Sequence, residues 1–339
     1  RTLRVMRDDN ALVLRASCGR WSGEPQWWER FEYPVEQDRG YDHEECSIVA
    51  STLEIPLTTA QPRFELTAEM DAFVPIAPTS NRHMIRPVDE RLVLAANQFV
   101  VARTSSSPTT PRMSIIAGYP WFADWGRDAM ISLPGLLIQT GRLDDARLVL
   151  ETFAGSIKDG LIPNRFDDRD LHTAHYNTAD ASLWFLHALH AWIKASGGSS
   201  SPGAADLLGV AMTIIDAHLA GNCPGVRIAE DGLIEAGIEG EALTWMDARI
   251  NGVALTPRIG KPVELSALWH SGLRLIASLL DDHNQGRLLA EADRTSTSFA
   301  AFWNDDLQCC YDILTKNGKS WHGDASIRPN QIFAVSLPH

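Results

Sequence analysis

Hydrophobic positions alternate at the start of the chain and recur with helical spacing further on. Leu3 and Val5, Leu12 and Leu14, Phe31 and Tyr33, then Leu53, Ile55 and Leu57 occupy alternate positions, with Asp-Asn, glycine and proline breaks between the runs. This pattern predicts strands up to about Ala77, read as part of a β-sandwich domain over residues 1–77. Val74 to Pro87 carries three prolines and little periodicity, which places a linker at 78–87. Beyond it the period changes. Leu143, Ala146, Leu150, Phe153, Ala154 and Ile157 fall on one face of an amphipathic helix. Leu265, Leu268, Trp269, Gly272, Ile276 and Leu279 repeat the pattern, as do Leu207, Ala211, Ile214, Ile215 and His218.

Helices are predicted roughly over 88–102, 126–140, 143–157, 178–195, 204–220, 263–280, 285–303 and 329–337. Consecutive helices without intervening strands predict a mainly α domain over residues 88–339. Ser196 to Gly203 reads as a flexible surface connection, because it follows no predicted strand and carries no phosphate-loop lysine. Gly221 to Pro262 shows little helical period, and a loop of that length in a compact domain is usually functional.

Charge narrows the choice of partner. The chain of 339 residues has Asp+Glu 43 against Lys+Arg 30, a net charge of −13, which repels nucleic acid and anionic membrane surfaces and favours a neutral partner. No run approaches the roughly 18 apolar residues of a spanning helix, and no basic and apolar leader opens the sequence. Five cysteines, odd in number and scattered, point to a reducing, cytoplasmic setting. The vicinal Cys309 and Cys310 lack the cationic or histidine neighbours of an activated thiolate. Tryptophan is the compositional oddity, with 11 Trp against 5 Tyr. Indole suits sugar stacking as well as core packing.

Three acidic-aromatic clusters carry the candidate chemistry. In Tyr119 to Asp128, Trp121, Asp124, Arg127 and Asp128 can hold a polyhydroxylated ring: carboxylates accept from hydroxyls, guanidinium donates in a fork, and indole covers an apolar face. The competing reading makes Asp124 a helix cap and Arg127 a surface ion-pair partner. Asn177, Asp180 and Trp184 form a second cluster, for which capping, helix dipole and core packing are the alternatives. The third lies in the long loop, where Asp247 sits near Trp245 and Met246 in a setting that desolvates a carboxyl and raises its pKa toward that of a general acid. Arg258, Lys261 and Glu264 follow it, and Pro262 with Glu264 is also ordinary helix-initiation chemistry. His172 and His175 have no third ligand at suitable spacing, so no metal is expected. Serine-elbow, nucleotide-loop and paired-cysteine motifs are missing, which leaves carboxylate chemistry without a cofactor.

Gly118 to Gly135 (GYPWFADWGRDAMISLPG), Tyr176 to Phe185 (YNTADASLWF), Thr244 to Ala248 (TWMDA), Thr256 to Trp269 (TPRIGKPVELSALW) and Arg328 to Pro338 (RPNQIFAVSLP) resemble the amylo-α-1,6-glucosidase region of glycogen debranching enzymes, in the same order. Arg39 to Glu45 resembles the end of the β-sandwich domain that precedes the catalytic domain in bacterial and archaeal members. The resemblance implies an (α/α)6 barrel that hydrolyses the α-1,6-linked glucosyl stub of glycogen or limit dextrin with inversion. It puts Asp247 at the general-acid position and Arg127 with Asp128 at the cleavage subsite. Asp124, Asn177, Asp180, Trp184, Arg258, Lys261 and Glu264 are expected to line the pocket, with Trp121 and Trp245 as its aromatic walls.

The family's base is a Glu downstream of Arg-Pro-Asn-Gln, a position expected beyond His339, and neither Glu235, Glu264 nor Asp312 sits in a matching motif. About eight helices are predicted where the barrel has twelve, so a partial (α/α)6 barrel, truncated at the C-terminus, is expected. A glucoamylase-like or trehalase-like glycosidase, or a non-catalytic glucan-binding module, is the alternative.

Overall fold

The computed structural model describes residues 2–7, 10–34, 37, 43–56, 64–70, 90–103, 112–118, 122–166 and 173–339. The chain divides into two compact units, Arg1–Pro78 and Thr79–His339. The linker expected at 78–87, and Arg39 to Asp42 of the upstream motif, lie outside the described residues.

In the first unit Thr2–Arg7, Asn10–Ala16 and Leu66–Met70 form an antiparallel sheet with Asn10–Ala16 in the middle. Leu3 faces Leu14 and Val5 faces Leu12 across the strands, so the alternation seen in the sequence gathers these four on one side. Ala11 and Val13 fill the other side and are buried. Arg20–Ser22 pairs with Thr52–Glu54, and Gln26–Glu32 pairs with Glu44–Val49 around a register shift between Trp28 and Phe31.

The described helices of the second unit are α1 (Glu90–Asn97), α2 (Gly126–Leu133), α3 (Leu143–Ala154), α4 (Ala181–Ser196), α5 (Ala204–Ala220), α6 (Val263–Ala277), α7 (Asp282–Phe299) and the short α8 (Phe333–Ser336). α4 and α6 are apolar nearly all round and sit at the centre of the core, where Leu183, Phe185, Trp192, Leu265, Trp269 and Ile276 are fully buried. Each such side chain contributes roughly 1.5–3 kcal/mol of burial. α4 and α5 stop where Gly197 and Gly221 enter the left-handed region at φ +105 and +69. α2 runs into a π-helical turn over Pro134–Ile138, closed by the Gln139 N–H donating to the Pro134 carbonyl at 2.9 Å. Pro134 has no N–H to continue the regular ladder, which accounts for the break.

The unit is mixed helix and strand, which corrects the mainly α expectation. The helix predicted over 88–102 ends at Asn97, and Val100–Arg103 pairs antiparallel with Arg112–Ile115. β-branched Val100 and Val101 favour that strand. The stretch 221–262 is also more ordered than its weak period suggests. Val226–Ile228 pairs with Ile234–Ala236, and Arg249–Ile250 pairs with Val253–Ala254 across Asn251 and Gly252. Those two residues have φ +50 and +78, as a type I′ hairpin turn requires. Lys261–Pro262 then joins Ile313–Asn317, which pairs with Ser320–Gly323. No described helix is long and apolar enough to cross a membrane.

Candidate active site

A cavity of about 270 Å³ opens between α2, α4, α6 and the 329–333 turn. Arg127, Asp180, Trp184, Trp245 and Glu264 line it together with Asn330. Residues from all three sequence clusters therefore meet in one place. The approach of two backbones sets the first of them. A Cβ on Gly126 would lie 2.1 Å from the Pro163 carbonyl oxygen, so only glycine fits there, and the Gly126 N–H donates to the Asn164 carbonyl at 2.8 Å. This contact starts α2 and places Arg127 and Asp128 on its first turn.

The Arg127 guanidinium donates through Nε to Asp180 Oδ2 at 2.6 Å, and Thr178 Oγ1 donates to Asp180 Oδ1 at 3.0 Å. Asp180 precedes α4 but its carboxylate makes no capping bond; the Ala181 N–H goes to Thr178 Oγ1 instead. α2 likewise begins at Trp125, not at an Asp124 cap. The capping alternative is thereby set aside for Asp124, while the bond to Thr178 Oγ1 accords with a cap just before Asp180.

Electrostatics tie the neighbourhood together. Burial pulls the Arg127 pKa down, but Asp180 first, with Asp247 and Asp128, outweighs it and holds the guanidinium above its ordinary range. Protein mass around the Asp247 carboxyl pushes its pKa up; Arg127 and Arg249 oppose the rise and Asp180 reinforces it. Asp128 is exposed as a residue, yet desolvation of its carboxyl raises it too, against Arg127 and with help from Asp180 and Asp247. A carboxyl that retains its proton is what a general acid needs.

Several predicted site residues stand elsewhere. The buried Asp124 carboxylate, expected in the pocket, accepts from Arg103 Nη1 through both oxygens at 2.6 Å and from Ser114 Oγ at 2.6 Å, outside the cavity's described lining. The Lys261 ammonium pairs with Asp231 at 2.5 Å and lies 4.2 Å from the Trp321 ring centre, also outside that lining. Arg258 lies behind the wall, in the left-handed region at φ +43, where it grips both oxygens of Glu264. Burial raises the Glu264 pKa and Arg258 opposes it. Asn177 is exposed and accepts from Asn164 Nδ2 at 3.2 Å. Asp128 and Asp247 are outside the cavity's described lining but act electrostatically on Arg127, which lines it, and Trp121 lies outside the described residues.

Each carboxylate weighed as an alternative base is bonded to arginine. Glu235 pairs with Arg227 at 2.7 Å, Glu264 with Arg258, and Asp312 with Arg258 and Arg328 at 3.0 and 2.6 Å. Sequence reasoning weighed Asp312 only as an unassigned alternative base and gave Asn330 no role. The first carries no motif or period, whereas the second stood in the Arg-Pro-Asn-Gln stretch. Among the described residues no group of His, Cys, Asp and Glu is arranged to hold a metal ion.

Residues 94–339 match the family described as amylo-alpha-1,6-glucosidase. The chain belongs to this family. The amylo-α-1,6-glucosidase match spans every cavity residue named above, and residues 1–63 match the glycogen debranching enzyme N terminal family. The glycogen debranching enzyme of Saccharomyces cerevisiae is 29% identical over 234 residues, covering 52% of this chain. The chain spans about 15% of the length of that curated relative. Among solved structures, an unsaturated glucuronyl hydrolase from Bacillus sp. GL1 shows a TM-score of 0.40 at 20% identity, over 58% of this chain and 52% of that one. A family 76 glycoside hydrolase from a bovine Bacteroides thetaiotaomicron strain has a TM-score of 0.40 at 12% identity, over 94% and 67% of the two chains. At that level the likeness decides neither the fold nor the reaction of this amylo-α-1,6-glucosidase relative.

Proposed function

We propose that the protein hydrolyses α-1,6-glucosidic branch points in glycogen or limit dextrin by an inverting two-carboxylate mechanism. One observation carries the reading: the Arg127–Asp180 pair, Trp184 and Trp245 converge on a single cavity, and Arg127 is coupled electrostatically to an Asp247 carboxyl whose pKa burial raises.

In this reading Arg127 uses Nε on Asp180 and offers its terminal N–H donors to sugar hydroxyls, with Asp128 accepting from them. Trp184 and Trp245 cover the apolar faces of the ring. Asp247 delivers its proton to the glycosidic oxygen as the C1–O bond breaks. A second carboxylate takes a proton from water, which attacks C1 from the opposite face and gives β-glucose. That base is the glutamate the family carries downstream of Arg-Pro-Asn-Gln, and no carboxylate of residues 1–339 is assigned the step.

The helical succession α2 to α6 supports a partial (α/α)6 barrel over residues 88–339, preceded by a β-sandwich domain over residues 1–77. A neutral glucan suits the net charge of −13, and the cytoplasm is the proposed compartment.

The full-length protein should release glucose, first as the β-anomer by NMR, from a branched limit dextrin and prefer it to starch and trehalose. Retained hydrolysis in a full-length Asp247→Asn variant would remove Asp247 from the acid role.

A further inference from the structure

Trp245 lies two residues before Asp247, and its indole N–H donates to Asn330 Oδ1 at 2.6 Å. The Asn330 amide is fully buried; its nitrogen donates to Asp312 Oδ1 and lies 3.7 Å from Met246 Sδ. Asp312 is also fully buried. It accepts from Arg258 Nε at 3.0 Å and Arg328 Nη1 at 2.6 Å through Oδ2, and from Arg258 Nη2 at 3.2 Å through Oδ1. The donor and acceptor order in this chain has one solution. An indole can only donate and a carboxylate can only accept, so Asn330 must turn its oxygen to Trp245 and its nitrogen to Asp312.

We propose that Asn330 and Asp312 are positioning residues for the Trp245–Asp247 segment, an inference that rests on Asp247 being the general acid. Two guanidinium groups immobilise Asp312, Asp312 orients the Asn330 amide, and the amide fixes the indole. The segment has few other side-chain anchors: Thr256 Oγ1 donates to the Met246 carbonyl at 3.1 Å, and the Met246 N–H reaches Thr244 Oγ1 at 3.4 Å. Without the relay, Trp245 can swing on the half-buried loop and carry Asp247 off the glycosidic oxygen. Misplacement by about 1 Å costs on the order of 100-fold in rate.

The test uses the full-length protein on limit dextrin, with thermal melting measured in parallel. Asn330→Asp sets two carboxylates against each other, and Asp312→Asn alone, its new amide oxygen held by Arg258 Nε and Arg328, turns an NH2 toward Asn330, whose single amide oxygen is then wanted both there and by Trp245. The double variant Asn330→Asp/Asp312→Asn reverses the polarity of the link. The new amide keeps its oxygen on Arg258 Nε and Arg328 and donates to the new carboxylate, which still accepts from Trp245, while Arg258 Nη2 gives up its 3.2 Å contact and retains Glu264 and the backbone carbonyl of residue 312.

Asn330→Asp is expected to lower kcat about 100-fold with a smaller change in KM. The double variant should regain at least about tenfold of that loss. Trp245→Phe, which keeps the ring and removes only the N–H, should likewise act on kcat more than on KM. An unchanged kcat for Asn330→Asp beside an inactive Asp247→Asn would overturn the relay alone. So would a double variant that melts like the wild type yet is no faster than Asn330→Asp. Hydrolysis by Asp247→Asn would overturn both the relay and the acid assignment beneath it.

Discussion

Arg127 and Asp180, 53 residues apart in the chain, meet at 2.6 Å and join the first turn of α2 to the start of α4. Both side chains are largely out of water, so the pair is a joint in the fold as well as a wall of the cavity. Asp180→Ala leaves a mostly buried guanidinium without its partner, and the expected loss of stability is about 3–5 kcal/mol. The same variant should weaken a glucose-mimicking inhibitor by more than about tenfold, since one charge-assisted contact is worth ~1.5–3 kcal/mol. Chemical denaturation and titration calorimetry read the two effects separately, and undiminished inhibitor affinity would contradict the placement of the sugar.

Asp247 gives a prediction whose sign depends on pH. Its folded pKa is raised, so the folded protein holds that proton more tightly than the unfolded chain does. The associated stability is complete below the ordinary carboxylate pKa of 3.8 and is lost as pH rises through the folded value. Asp247→Asn should therefore raise the melting temperature at pH 7 and have little effect near pH 3, at the expense of hydrolysis. Scanning calorimetry at the two values checks it; equal shifts at both would show that the carboxyl is not strained. Hydrolysis by the wild type should fall as pH rises through the same pKa.

His218 carries the opposite pH signature. Fully buried, stacked on Trp269 with ring centres 5.7 Å apart, it has its pKa pushed down to about 4 by burial, while a bond to the Ile214 carbonyl opposes the fall. Burial likewise takes His187 down to about 4. Both remain neutral when folded, whereas the unfolded chain takes up protons below about pH 6.5. Stability should be complete above that value and decline toward pH 4 by roughly 1.4 kcal/mol per pH unit for each histidine. Urea unfolding across this range should show the slope, and His218→Phe should reduce it by one proton.

Asp124 and Asp128 should separate cleanly. Asp124 belongs to the Arg103 and Ser114 cluster, so Asp124→Ser is expected to lower stability by about 3–5 kcal/mol while inhibitor affinity stays near that of the wild type. Asp128→Ala, on an exposed first turn, should do the reverse. Calorimetric titrations of both proteins decide the matter, and equal affinity losses would return Asp124 to the site.

The helical core was legible because α3, α5 and α6 bury one strongly periodic face, or nearly all of it, and the period survives tertiary packing. Residues bearing charge were harder to place. Asp124 and Lys261 sit in the same motifs as Arg127 and Glu264, yet the first two turn away to Arg103 and Asp231. Motif membership names the neighbourhood, while the direction of a side chain depends on partners tens of residues distant. Asp312 gave no signal, since its importance lies in the arginines and the amide that fold around it. The Asn251-Gly252 hairpin was readable in principle, because that dipeptide marks a type I′ turn, but the absence of helical period masked it.

The wall behind the cavity contains two guanidiniums, Arg258 and Arg328, set against three carboxylates, Glu264, Asp312 and Asp324, within a few ångströms of one another. Two positive charges interleaved with three negative ones nearly offset each other over so short a span, and the single negative charge left over is screened within about a Debye length. A ligand without formal charge meets neither attraction nor repulsion from afar. Affinity for an uncharged sugar should consequently be indifferent to ionic strength, with selectivity left to shape and hydroxyl geometry at contact range.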